Sequence, residues 1–144
     1  MDSVTRFQVS FNVPGEPTGK ARPRVVRNGA FARTYTPEKT VNYENLIKVE
    51  YQRQCGNTYF GEACLAMEIV AFYGLPSSAS KRKKAAMLEG VLRPKKKPDC
   101  DNVVKVICDA LNGVAYHDDA QVVSCSIDKR YANIPHIEIK INEV

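Results

Sequence analysis

Between Asp101 and Asn112 the residue types repeat with a period that suits a helix, and that helix has two unlike faces. At 100° per residue, Asp101, Lys105, Asp109 and Asn112 fall within an arc of roughly 80°, with Asn102 at its rim. Val103, Ile107, Ala110 and Val114 fall on the opposite side, flanked by Val106 and Leu111, and Gly113 supplies the stop. One face has to pack, so the rest of the chain has to provide a layer for it. The other face collects two acids, a lysine and an amide.

The remaining segments supply that layer. Phe7 to Val13 reads as an opening strand closed by Pro14-Gly15, and residues 14–36 as a long basic loop with a short hairpin around Asn28-Gly29. Thr36-Pro37-Glu38 predicts a helix start, with Thr36 as N-cap and Pro37 at the first helical position, running to about Gln54 before Gly56-Asn57. Residues 62–74 read as a strand and Ser80 to Leu88 as a short basic helix ending at Gly90. Gln121 to Tyr131 and His136 to Asn142 read as two strands, close enough in sequence to pair antiparallel. The sum is an α/β (α+β) chain: one compact domain over residues 1–144, with about four strands in a mixed sheet and about three helices.

Composition agrees with one domain, because 44% apolar residues are enough for a core at this length. No apolar run approaches the ~18 residues that a membrane span needs, and Met1 to Arg6 lacks the layout of a secretory signal. The five cysteines are odd in number and scattered, without a C-x-x-C pair, and only two histidines accompany them. Neither a disulfide framework nor a zinc site is expected, and Cys100 and Cys108 read as small packing residues. The expected setting is the cytoplasm, with no membrane partner.

The net charge of +5 suits a polyanionic partner, and its distribution says more. Residues 81–97 hold eight Lys/Arg against the single acid Glu89, whereas residues 99–119 hold five Asp and one Lys. A binder of phosphate gains nothing from acids at the edge of its basic surface; hydrolysis of nucleic acid uses both. Asp99 and Asp101 stand two apart where the chain approaches the helix. In an extended approach their carboxylates would share a side, and a hard divalent ion such as Mg²⁺ would relieve their repulsion. Asp118 and Asp119 follow in the loop beyond the helix, where Tyr116 and His117 also lie. The bland reading stands beside this one. An Asp at a helix start is commonly a cap, Asp-Asp in a loop is commonly solvated, and Asp109 can simply pair with Lys105.

The string Lys97-Pro98-Asp99-x-Asp101-Asn102-x-x-Lys105-x-x-x-Asp109-Ala110-Leu111-Asn112-Gly113, followed by Asp118-Asp119-x-Gln121-Val122, resembles the signature of the RusA family of Holliday-junction resolvases. The N-terminal Val13-Pro14-Gly15, Lys20-Ala21-Arg22-Pro23-Arg24 and Tyr35-Thr36-Pro37, and the Ser/Lys-rich stretch from Pro76 to Lys84, are similar to phage-type members. The resemblance implies a homodimeric, Mg²⁺-dependent endonuclease, with Mn²⁺ as a substitute, that resolves four-way DNA junctions by paired symmetric nicks in recombination or repair. On the same basis Asp99, Asp101 and Asp119 would be the metal-binding acids and Lys105 the catalytic lysine. Asp118 would be a supporting acid and Asn102 a motif residue beside the site.

Arg22, Arg24, Lys95, Lys96 and Lys97 are the candidates for phosphate contacts, which give affinity without reading sequence. For Lys81 to Lys84 a solvated helix face is an equal reading. Gly15-Glu16-Pro17-Thr18-Gly19-Lys20-Ala21 fails as a P-loop, because its glycines are too close, Ala21 replaces Ser/Thr and Pro17 removes a backbone N–H. Phe72, Tyr73 and Tyr131 are expected to pack in the core rather than stack on bases. Two alternatives to junction resolution remain open: a non-cleaving protein that holds branched nucleic acid, and a nuclease for flaps or forks.

Overall fold

The computed structural model describes residues 8–21, 24–35 and 37–144, and gives Arg24 as backbone only. Four strands, β1 (Gln8–Pro14), β4 (Leu65–Gly74), β5 (Val122–Ala132) and β6 (His136–Glu143), form one mixed sheet in the order β1-β6-β4-β5. Three helices, α1 (Glu38–Cys55), α2 (Lys81–Leu88) and α3 (Cys100–Leu111), complete the domain, with a 3-10 turn at Asp119–Gln121. A separate hairpin of β2 (Arg24–Asn28) and β3 (Phe31–Tyr35) turns at Gly29, whose φ of +63° suits glycine. The expected class, the four-strand mixed sheet and the three helices are all present.

Strand periodicity decides which face is covered. Phe11 and Val13 of β1, Leu65, Met67, Ile69, Ala71 and Tyr73 of β4, and Ile137, Ile139 and Ile141 of β6 are buried on one face of the sheet. Against them pack Tyr43, Ile47 and Tyr51 of α1 and Val103, Val106, Ile107, Ala110 and Leu111 of α3. The intervening residues Ser10, Asn12, Glu68, Glu138 and Lys140 line the opposite, open face.

The expected pairing of β5 with β6 is not what forms. β6 lies between β1 and β4, antiparallel to both, and β5 pairs parallel with β4. Closeness in sequence pointed to a hairpin, but burial decides the order. β6 carries three fully buried isoleucines and takes a central place, whereas β5 exposes Val123, Ser124, Cys125 and Ser126 and takes the edge. The link from β5 to β6 passes the end of β4 at Gly74, where an added Cβ would lie 3.7 Å from the Pro135 ring. That is ordinary contact; the atom an added Cβ would run into is Glu16 Oε1, which accepts from the Gly74 N–H.

Two helix starts also differ from expectation. Pro37, not Thr36, stands as the N-cap of α1, and Thr36 lies outside the described residues. Asp99 is the extended N-cap of α3, whereas Asp101 already belongs to its first turn. The two carboxylates therefore do not share a side by strand alternation. Ser80 caps α2 as the sequence implies, its Oγ accepting from the Lys83 N–H at 3.2 Å.

Candidate nuclease site

The start of α3 is fixed by contacts from two directions. Tyr73, at the end of β4, is buried, and its hydroxyl donates to the Pro98 carbonyl at 2.7 Å. From the other side the 15–21 loop lies against the helix: Lys20 N–H donates to the Asn102 carbonyl at 3.0 Å. Gly19 approaches so closely that an added Cβ would be 2.7 Å from Pro98 Cβ and 2.9 Å from Asn102 Cβ. The Lys97–Pro98 peptide between these contacts is cis.

On this base Asp99 and Asp101 project into solvent. Both are exposed, and among the described residues neither side chain enters a hydrogen bond or an ion pair. They are free hard-oxygen donors, which suits a divalent cation such as Mg²⁺. Asp119 stands elsewhere. Its turn packs on the far part of α3, near the buried Cys108 and Tyr116. From Asp101 to Cys108 the helix rises roughly 10 Å. Among the described residues no three His, Cys, Asp or Glu side chains come together as a metal-holding set. The donor chemistry fits a metal, but one chain does not gather the three acids.

The polar face of α3 is wired into a charge network. Asp109 is held at 3.4 Å by Lys105, one turn back, and at 3.3 Å by Lys20, which also reaches Glu44 at 2.6 Å. Partial burial opposes the Lys20 ammonium, but Glu44 and Asp109 outweigh it and hold its pKa above the ordinary value. Lys105 is much more open, with 59% of its side chain exposed. Lys20 was not a site candidate from sequence. The signal was the rejected Gly15-to-Ala21 stretch, which lies against the start of α3.

Other candidates fall as follows. Asp118 caps the 3-10 turn: its carboxylate accepts from Ala120 N–H at 3.2 Å, and its own N–H donates to Gln121 Oε1 at 2.9 Å. Gln121 in turn donates to the Gly61 and Ala63 carbonyls, so Asp118 holds the turn that presents Asp119. Asn102 sits beside Asp101 with its backbone tied to Lys20. Lys95, Lys96 and Lys97 are exposed on the approach to α3. Lys96 Nζ lies 5.8 Å and Lys129 Nζ 5.0 Å from the Tyr73 ring centroid, and Lys129 donates to the Lys96 carbonyl at 2.6 Å. Arg22 and the Arg24 side chain lie outside the described residues.

Of the aromatic residues, Tyr73 is in the core as expected, whereas Phe72 is partly buried on the open face and stacks on His136 at 4.5 Å. All five cysteines are free. Burial pushes the Cys108 thiol up to about 11, which suits a packing residue, but Cys100 is exposed. Cys100 is exposed in the first helical turn, so it is not the buried packing residue that the sequence suggested.

Residues 14–142 match the family described as endodeoxyribonuclease RusA. The chain belongs to that family. The uncharacterized protein YqaN of Bacillus subtilis (strain 168) is 35% identical to it over 139 residues, covering 94% of this chain and 96% of its own. The RusA match takes in both the 15–21 loop and the acids, and membership implies endonuclease activity on DNA. No helix among the described residues is long and apolar enough to cross a membrane.

Proposed function

We propose that this RusA-family protein is a Mg²⁺-dependent endonuclease that resolves four-way DNA junctions by paired nicks, acting as a homodimer in the cytoplasm during recombination or repair. The observation that carries this reading is the pair of free carboxylates, Asp99 and Asp101, held at the end of a lysine-rich approach. Lys95, Lys96 and Lys97 attract the phosphate backbone, and Lys105 offers a positive charge on the same face as Asp101. A bound divalent ion would supply further charge beside the phosphate and an acidified water.

The homodimer answers two needs. Symmetric resolution takes two cuts, and one chain carries one acid set. The separated acids supply the second reason. Among the described residues β5 pairs with β4 alone, and its outer edge carries no charged residue from Val122 to Ile127, the kind of edge that accepts another strand. A second copy added antiparallel along β5 brings its own Asp119 towards the end of the sheet where the first copy's Asp99 and Asp101 stand. We infer that each site is completed across this twofold.

The scattered acids within one chain favour one second reading, a protein that holds branched DNA without cutting it. The deciding experiment incubates the protein with a synthetic four-way junction and a matched duplex, with and without Mg²⁺. Paired nicks in the junction alone are expected. Asp99→Asn, Asp101→Asn and Asp119→Asn should each abolish cutting yet bind the junction as well or better, since each loses a charge that repels phosphate. Mixing the Asp99→Asn and Asp119→Asn proteins should restore part of the nicking, because mixed dimers hold one intact composite site. Tight binding without nicks under all metal conditions would favour the non-cleaving reading, and equal cutting of a flap or fork would broaden the substrate.

A further inference from the structure

A cleft of about 580 Å³ opens between the 16–21 loop, the start of α1 and the Lys96–Pro98 segment. Its volume falls in the ~300–1,000 Å³ range of pockets that take small molecules, and it opens broadly to solvent. Lys39, Lys96 and Lys97 bring three positive charges to it, whereas Lys20 is paired with Glu44 and Asp109; the one acid in the lining is Glu16, whose carboxylate accepts from the Gly74 N–H at 2.9 Å. Lys39, Lys96 and Lys97 are exposed, and none is in an ion pair among the described residues. Inside, the partly exposed rings of Pro37 and Pro98 give apolar walls above the buried Pro17 and Tyr73, and Thr18 and Asn102 add hydrogen-bonding groups.

A charged rim with apolar walls and few polar groups matches the chemistry of a single nucleotide. Its phosphates stay outside with the ammonium groups, and its base enters between rings and finds polar groups at its edge. Position makes the match specific. Pro98 and Asn102 line the cleft, and they flank Asp99 and Asp101 in the chain. We propose that this cleft receives one unstacked nucleotide of the junction, the one bordering the cut phosphate. Lys39 and Lys97 meet its flanking phosphates, and Asn102 faces the base.

The proposal rests on the junction-nuclease reading and adds a source of selectivity to it. Extracting a base from intact duplex costs unstacking and unpairing, and the cost is least where pairing is already interrupted. A cut that needs an occupied cleft therefore falls at a branch point, and the cleft walls impose a preference for particular bases there.

The test uses 2-aminopurine, whose emission rises when it leaves the stack. It is placed singly at each position within two nucleotides of the cut, in otherwise identical four-way junctions saturated with full-length protein in the absence of Mg²⁺. A several-fold rise at one position adjoining the cut is expected. Thr18→Phe, which fills the cleft, should remove that rise, and Lys39→Glu, an exposed change away from the core, should weaken it. Uniform emission at all positions, or an unchanged rise in both variants, would overturn the cleft assignment while leaving junction binding and the nuclease reading intact. Failure to bind a junction in preference to duplex would overturn both.

Discussion

Asp109 has two lysine partners, and this duplication makes Lys105 unusually easy to interpret. If Lys105 only neutralised Asp109, its loss would leave Lys20 at 3.3 Å to do the same. An exposed i,i+4 pair contributes only about 0.3–0.5 kcal/mol, so Lys105→Ala should scarcely move the melting temperature. If the ammonium instead stabilises charge that develops in the transition state, the same change should lower the single-turnover rate by ~10²–10³. We expect the large rate loss with unchanged junction binding and fold. Lys105→Arg keeps the charge but alters its shape and reach, and should recover stability fully and rate only in part. Single-turnover rates close to wild type in Lys105→Ala at saturating Mg²⁺ would place the lysine among the structural residues. The acids and this lysine were readable because they share one short motif. Lys20 was not, since its partners Asp109 and Glu44 come near it only when the loop folds back onto α3.

The 15–21 loop depends on one residue without a side chain. A methyl group at position 19 would enter the space of Pro98 and Asn102 Cβ, neither of which is the flexible end of a side chain. Gly19→Ala should therefore push the loop off the start of α3, at a cost of about 1–3 kcal/mol for overpacking. Thermal melting should register that cost, and nicking should fall with it, because Lys20, Asn102 and the approach to Asp99 shift together. Nicking at the wild-type rate in a folded Gly19→Ala protein would show that the loop does not position the acids. At this scale the sequence was clear about what each element is and wrong about what it sits beside. Alternating Ile137, Ile139 and Ile141 announce a strand, and the 3.6-residue period announces α3. Nothing local announces that β6 will insert beside β4, because that choice is made by how much apolar surface each strand can bury.

At the scale of the whole molecule the basic approach and the acids act in opposite senses on DNA. Affinity for a junction should fall steeply with salt, because phosphate neutralisation releases condensed counterions. Replacing Lys95, Lys96 and Lys97 together with Ala should flatten the slope of log affinity against log salt by up to ~0.9 for each phosphate that is no longer neutralised. Lys95 and Lys97 are exposed ammonium groups and should account for most of the change, since Lys96 also lies over the Tyr73 ring. An identical slope in the triple variant would mean that this run is only solvated surface. The place of β6 between β1 and β4 has a consequence in time as well as in space. During synthesis every other strand of the sheet is made before residues 136–143 exist, so until then β1 has no neighbour in it and one side of β4 stays open. α3 can form from local contacts, yet the sheet it packs on is unfinished until β6 threads between β1 and β4. Until then the exposed strand edges invite misassembly rather than catalysis. The layer beneath the start of α3 is complete only once β6 is in place.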